Sequence, residues 1–269
     1  MLVLQLNLNH CRAAQDVLSQ TARETKMDIA LLSEPHRTGS DNRWAVDLSG
    51  KAAIWSCGVT GATMHSVHSA EGFVRARIGG AWLNSCYMAP SLTTNEFERM
   101  MDCLGNDIRG RSDVLVAGDF NAWAQDWGCP RINARGRVVR ETLASLDLVL
   151  LNEGNQHTWF SRARAGSIID LTFASPSIAT GANWRISGSF TASDHEAILC
   201  SIGSPQERPR EPNPRGYRVD TLQARNFTEA ARDIGNVLPS GANKMAATVE
   251  TTLLFTGGAS RLAPSEQTA

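Results

Sequence analysis

Residues 113–121 read DVLVAGDFN, and this stretch is the key to the architecture. Its apolar first half, through Ala117, is typical of a short buried strand. Its second half places Asp119 and Asn121 directly after that strand. We therefore predict a strand whose carboxyl end delivers a carboxylate and an amide to one edge of a sheet.

The same arrangement occurs twice near the start of the chain. Residues 2–9 (LVLQLNLN) alternate strictly, which predicts a strand with its leucines on one face and Asn7 and Asn9 on the other. A second apolar run, 29–32, ends directly before Ser33 and Glu34. Polar side chains from separate strands are thus expected at neighbouring strand ends.

Local patterns predict the remaining elements. Helices are expected at 12–26, 95–108 (with Thr94 as N-cap) and 137–146, and strands at 52–57, 72–78, 81–88, 148–152, 157–160, 168–174, 183–187 and 196–202. Strand-rich halves with intervening helices favour two packed sheets over one doubly wound parallel sheet. We predict an α/β (α+β) fold, a four-layer sandwich of two packed mixed β-sheets flanked by helices.

A change in composition follows Gly203. The segment SPQERPREPNPR is rich in proline and charge, which is typical of a linker. We predict that residues 1–203 form one domain, large enough to be an enzyme. Residues 204–269 are expected to form a Pro-rich linker and a partly helical tail, the start of a truncated downstream region.

Composition excludes several classes of protein. Of 269 residues 42% are hydrophobic, and no apolar run approaches the ~20 residues that a bilayer span needs. No signal peptide pattern opens the chain, so we expect an intracellular protein. A net charge of -1 argues against a binder held to nucleic acid by bulk charge. The six cysteines form no C-x-x-C pair, so we predict reduced thiols and no zinc knuckle.

The polar residues at the predicted strand ends are suited to metal-assisted phosphodiester hydrolysis. That reaction needs a cation, a base for water and donors to the phosphate oxygens. Oxygen ligands favour Mg²⁺ or Mn²⁺ over zinc, and we predict Mg²⁺. One carboxylate, Asp170, lies inside an apolar strand and would need a partner such as histidine. The central set is Glu34, Asp119, Asn121, Asp170, Asp194 and His195.

An ordered series of short motifs resembles the endonuclease/exonuclease/phosphatase superfamily over residues 2–202. The motifs are Asn7-Leu8-Asn9, Ser33-Glu34-Pro35, Tyr87-Met88-Ala89-Pro90, Gly118-Asp119-Phe120-Asn121, Ile169-Asp170 and Ser193-Asp194-His195. Within that superfamily, the chain is most similar to the abasic-endonuclease-like domain of insect non-LTR retrotransposons. The segments 151–154 and 126–128 also resemble that group.

The resemblance implies a metal site centred on Glu34. Asn7, Asn9 and Asp194 would assist it. Repair enzymes of the superfamily carry aspartate in place of Asn9, and commonly glutamine in place of Ser33. For Asn7, an amide that only bonds backbone is the alternative.

The resemblance also implies the chemical roles. Asp119 would take a proton from the attacking water, and Asn121 would orient that water or the scissile phosphate. His195 would donate to the phosphate and be held by Asp170. Tyr87 would contact the phosphate or its leaving oxygen.

A metal-dependent DNA endonuclease follows as the expected function. It would nick double-stranded DNA in the nucleus to prime reverse transcription by a downstream region of the same polyprotein, and would bind no membrane. Alternatives are an abasic-site repair nuclease or phosphatase on the same scaffold, since substrate choice lies in the loops. A non-catalytic DNA-binding remnant is the alternative of another class.

Two groups of residues are predicted to contact DNA. Runs 158–160 and 168–170 would form a hairpin beside the cleft, starting at Thr158 and carrying Arg162 and Arg164 in its turn. A solvated turn without a role is the alternative.

Trp123 and Trp127 form the second group. They could stack on bases or only hold their loop to the core.

Overall fold

The structure is a computed structural model that describes residues 1–58, 61–163 and 165–203. Residues 204–269, with the predicted linker and tail, lie outside the described residues. Within the described ranges no helix is long and apolar enough to cross a bilayer.

The secondary structure alternates between strands and a few helices. In chain order the elements are β1 (Leu2–Asn7), α1 (Arg12–Thr25), β2 (Ile29–Ser33), β3 (Trp44–Val46), β4 (Ala52–Ser56), β5 (His65–Ala70), β6 (Phe73–Ile78), β7 (Ala81–Tyr87), α2 (Thr94–Ile108), β8 (Val114–Asp119), a 3₁₀ turn (Gln125–Trp127), α3 (Ala134–Ala144), β9 (Val149–Leu150), β10 (Trp159–Phe160), β11 (Gly166–Ser167), β12 (Asp170–Ala174), α4 (Pro176–Ala179), β13 (Asn183–Ile186) and β14 (Ile198–Ser201).

Two mixed six-stranded sheets dominate the described part of the chain. The first has the strand order β13-β14-β1-β2-β4-β3, and the second β5-β6-β7-β8-β12-β9. Each contains one parallel pair at its centre, β1 with β2 and β7 with β8. The parallel pairs bring the carboxyl ends of four strands to the same end of the sandwich.

Three apolar clusters separate four layers. One lies between the first sheet and α1 and includes Leu4, Leu6 and Leu8. A second cluster fills the space between the sheets, and a third packs the second sheet against α2 and α3. The predicted four-layer sandwich is confirmed. Strand β1 directs its leucines to one face, as the alternation predicts.

Several boundaries differ from the prediction. Strand β1 ends at Asn7 because Asn9 and His10 adopt left-handed backbone angles, φ 46° and 52°. Helix α2 is capped by Thr93, not Thr94: the Thr93 hydroxyl accepts from the Glu96 N–H while the Glu96 carboxylate accepts from Thr93.

The edge strands β3 and β5 were missed. Four of the six residues of β5 are exposed, so it lacks the apolar alternation that identifies a strand from sequence. Strand β12 begins at Asp170 itself, not at 168, and the hairpin partner of β10 is Gly166–Ser167. Asp170 therefore lies at the end of a strand and not in its middle.

Candidate active site

A cleft of about 380 Å³ opens at the strand ends of both sheets. It brings together nine of the predicted site residues. Its lining comprises Asn7, Asn9, Glu34, Tyr87, Pro90, Asp119, Asn121, Trp123, Trp159, Ser167, Ile169, Asp194 and His195.

Strand register explains how these side chains converge. Asn7 pairs with Ser33 across the first sheet, so Glu34 follows directly beside it. In the second sheet Asp119 pairs with both Tyr87 and Asp170. The glycine before Asp119 is required by close packing, because a Cβ at Gly118 would overlap the carbonyl oxygen of Cys86.

Asp119 is a buried carboxylate held by three donors. Its Oδ1 accepts from the backbone N–H of Asn121 at 2.9 Å, and its Oδ2 accepts from Nδ2 of Asn121 at 3.0 Å and of Asn7 at 2.9 Å. Burial, and then the charge of Asp170, raise the pKa of Asp119 to about 7, while His195 and the donors oppose that rise. A carboxyl group with a pKa near neutrality is suited to general-base chemistry.

His195 and Asp170 form a buried hydrogen-bonded pair. Nδ1 of His195 lies 2.8 Å from Oδ2 of Asp170. Burial alone would lower the pKa of His195, but the charge and hydrogen bond of Asp170, with Asp119 and Asp194, raise it to about 9. The imidazole is therefore cationic at neutral pH. The predicted need of Asp170 for a histidine partner is confirmed.

Thr158 holds the segments that carry Asp170 and His195 in place through hydrogen bonds to the backbone. Its Oγ1 accepts from the backbone N–H groups of Ile169 and Asp170, both at 3.1 Å, and its carbonyl accepts from Glu196 at 2.8 Å. The side chain is fully buried. The prediction that Thr158 contacts DNA is therefore wrong, because it is enclosed by the segments that carry Asp170 and His195.

Glu34 also lines the cleft. Its Oε1 accepts from the Tyr87 hydroxyl at 2.7 Å and lies 3.3 Å from Nε2 of His10. Burial and the bond to Glu34 raise the pKa of Tyr87, so its phenol stays protonated and donates. The Glu34 side chain is 16% exposed, which leaves the carboxylate accessible from the cleft.

Asn9 and Asp194 line the cleft and are hydrogen-bonded to each other. Nδ2 of Asn9 donates to Oδ1 of Asp194 at 3.1 Å, and Nε1 of Trp159 donates to Oδ2 at 3.1 Å. The Ser193 hydroxyl donates to the carbonyl of Asn7 at 2.8 Å and so connects the segment of Asp194 to β1.

A metal ion could be held by protein groups at this cleft. One ligand atom from each of Asp119, Asp170 and His195 lies within 4.8 Å of the others. Among the described residues no donor reaches Oδ1 of Asp170. The carboxylate of Glu34 offers a second, more open place for a cation.

The remaining predicted DNA contacts differ in accessibility. Trp127 is 2% exposed and donates from Nε1 to the carbonyl of Ala122 at 3.2 Å, so it anchors its loop and cannot stack on a base. Of the two alternatives for Trp127, the structure agrees with the one in which it holds its loop to the core. Trp123 lines the cleft with Arg131 over its ring, and Arg162 is exposed. Arg164 lies outside the described residues.

Two residues of the site were missed in the sequence. His10 follows the Asn-Leu-Asn motif directly and reaches Glu34 only because the chain turns sharply after β1. Trp159 follows Thr158 and pairs with His195 through an isolated β-bridge. Adjacency to a motif was the available signal for both.

Comparison with known proteins agrees with this geometry. The family model described as "Endonuclease-reverse transcriptase" matches residues 82–199. No curated protein matches the chain in sequence. The endonuclease domain of TRAS1, a telomere-specific non-LTR retrotransposon, has a similar structure, with a TM-score of 0.62 and 25% identity over 76% of this chain and 99% of that one.

Two further solved structures share the fold. A 3′–5′ exonuclease from Neisseria meningitidis has a TM-score of 0.60 at 16% identity and covers 75% of this chain and 99% of its own. An AP endonuclease from Archaeoglobus fulgidus has a TM-score of 0.58 at 14% identity, with coverage of 75% and 99%. These likenesses show that the described part of the chain has the fold of these nucleases, and that residues 82–199 are similar to the family described as "Endonuclease-reverse transcriptase".

Proposed function

We propose that the chain is a metal-dependent endonuclease that nicks double-stranded DNA. The observation that carries this is the convergence of Asp119, Asn121 and the His195–Asp170 pair on the cleft that Glu34 borders. Asp119 is suited to proton removal, His195 carries a positive charge, and the carboxylate of Glu34 is accessible to a cation.

The donor set fits a divalent cation. Glu34, with the oxygens of Asn9 and Asp194 on the same cleft, supplies the hard ligands that Mg²⁺ prefers, and Mn²⁺ would substitute. We assign the cation to Glu34, because Asp170 holds His195 in its cationic form, which has no lone pair to offer a metal ion. A bound divalent cation would neutralise the charge that develops on the phosphate. Asn7 orients Asp119 and accepts from Asn9 through its other amide atom.

The other residues carry the hydrolysis. Asp119 removes a proton from water, whose oxygen adds to phosphorus while Asn121 holds it in place. The cationic His195 donates to a nonbridging oxygen and stabilises the added charge. The bond from phosphorus to the 3′ oxygen breaks, and that oxygen takes a proton from solvent to become a 3′ hydroxyl while Asp119 returns its proton to solvent.

Such a 3′ hydroxyl is a primer end. We infer that the nick is made in the nucleus and primes reverse transcription by a downstream region of the same polyprotein. The likeness to the TRAS1 domain supports this assignment.

Nicking of supercoiled plasmid by the full chain tests the proposal. We expect activity with Mg²⁺ or Mn²⁺ and none in excess EDTA. Glu34→Gln should lower turnover at least ~10²-fold, because it removes the ligand charge but keeps an acceptor for Tyr87. Cleavage of abasic oligonucleotides with the plasmid left intact would favour the abasic-site repair nuclease instead. Release of terminal phosphate with the plasmid left intact would favour the phosphatase.

A further inference from the structure

His10 contacts Glu34 from just outside the cleft lining and has no part in the reaction outlined above. Its Nε2 lies 3.3 Å from Oε1 of Glu34, and its Nδ1 lies 3.3 Å from the carbonyl oxygen of Pro35. Its backbone N–H donates to the carbonyl of Glu34 at 2.9 Å. The imidazole therefore contacts the Glu34 segment at two points, and the backbone of His10 contacts it at a third.

The backbone is bent to place this ring. Asn9 and His10 both have left-handed φ angles, 46° and 52°, and Glu34 has φ 46°. Such conformations are uncommon for residues other than glycine and cost energy unless the surroundings maintain them. Strain at both facing segments indicates that the approach of His10 to Glu34 is built into the fold.

The contact with Pro35 decides which imidazole nitrogen carries the proton. A carbonyl oxygen can only accept, so Nδ1 is the donor toward Pro35. Nε2 is then the ring nitrogen left to face Oε1 of Glu34, 3.3 Å away, where it can bind a cation that the carboxylate also binds. A backbone carbonyl that fixes the tautomer in this way is typical of metal-binding histidines.

The spacing also suits a shared metal ion. Two ligands about 2.1 Å from one octahedral ion and at right angles lie about 3.0 Å apart. The His10 side chain is 54% exposed, so small rotations can close the difference. Imidazole is a ligand for first-row transition ions, a series that includes Mn²⁺, whereas Mg²⁺ prefers oxygen ligands.

We propose that His10 is a nitrogen ligand of the divalent cation at Glu34 and biases this site toward Mn²⁺ over Mg²⁺. The inference rests on the proposed function, because it places the cation at Glu34.

Electron paramagnetic resonance of Mn²⁺ added to the full chain tests it. We expect ¹⁴N modulation of the electron spin echo, which reports a coordinated imidazole. His10→Asn should abolish the modulation and weaken Mn²⁺ binding by about tenfold or more, with little change in Mg²⁺ affinity measured by competition. Asparagine tolerates the left-handed backbone, so this variant should fold.

His36→Asn is the matched control. Nδ1 of His36 lies 3.2 Å from the carbonyl oxygen of His10, but among the described contacts the ion pair with Glu34 belongs to His10 and not to His36. This variant should keep both the modulation and the affinity.

Three results would overturn the inference, each in a different way. If Mn²⁺ binds the chain, is lost in Glu34→Gln and shows no ¹⁴N modulation, His10 is not a ligand and the proposed function still stands. Modulation lost in His195→Asn and kept in His10→Asn would move the ion to the Asp119–Asp170–His195 group. Binding that Glu34→Gln does not change would refute the metal site of the proposed function as well.

Discussion

Asn7 donates a hydrogen bond to Oδ2 of Asp119 at 2.9 Å across 112 residues of sequence. The two side chains are 1% and 2% exposed. Asn7 ends β1 in the first sheet, and Asp119 ends β8 in the second. The orientation of the carboxylate therefore depends on how the two sheets pack.

Asn7→Asp should move the acid limb of the pH–rate profile to higher pH. A second carboxylate at this distance favours the protonated form of Asp119 and so raises its pKa further. Single-turnover nicking at saturating Mg²⁺ measures the limb. Asn7→Leu, which removes the donor without adding charge, is the control and should move the limb less. An unchanged limb in Asn7→Asp would show that Asp119 is not the titrating base.

Asp170→Asn should move the alkaline limb to lower pH. The cationic form of His195 persists to about pH 9 because Asp170 offsets the effect of burial on its pKa. Without that carboxylate, burial dominates and the imidazole loses its proton earlier. The imidazole proton resonances report this pKa even if nicking is slow. An unaltered His195 pKa in the variant would contradict the role of the pair.

In EDTA, stability should fall as pH rises from about 4 to 9. The folded-state pKa of Asp119 is raised from 3.8 to about 7, and that of His195 from 6.5 to about 9. Both groups bind protons more tightly in the folded state, so each contribution is full below its unfolded pKa and is lost as pH rises through its folded pKa.

Urea unfolding at a series of pH values measures this trend. Asp119→Asn should flatten the slope between pH 4 and 7, and His195→Gln the slope between pH 6.5 and 9. Each variant serves as the control for the other window. If the free energy of unfolding changes with pH in the same way in the wild type and both variants, Asp119 and His195 are not the source of the trend.

Shortening the β10–β11 hairpin should change where DNA is nicked. Trp159 and Ser167 of this hairpin line the cleft, while Arg162 lies exposed in the turn. Replacing residues 161–165 by Asn-Gly should redistribute nicks mapped by sequencing and leave the catalytic residues in place.

Arg162→Ala should reduce the salt dependence of DNA binding by up to ~1 unit of log–log slope, because one phosphate contact is lost. Arg23→Ala, an exposed arginine in the last turn of α1, is the control. Equal slopes for both variants would assign the hairpin no part in binding.

The sequence by itself determined the layers and selected most of the residues that line the cleft. Alternation along residues 2–9 and the apolar run before Gly118 identify the strands because side-chain direction in a strand has a period of two. Glu34, Asp119, Asn121 and His195 stand at strand ends or in motifs, so local pattern and family resemblance were sufficient to select them.

Only the tertiary structure decided which of these side chains are accessible and what they touch. Trp127 and Thr158 are as polar or aromatic in sequence as any DNA-contacting residue, yet packing buries both. The contacts of Asn7 with Asp119 and of His10 with Glu34 join segments that are distant along the chain. Such contacts depend on sheet packing and on left-handed turns, which the pattern of any single segment does not encode.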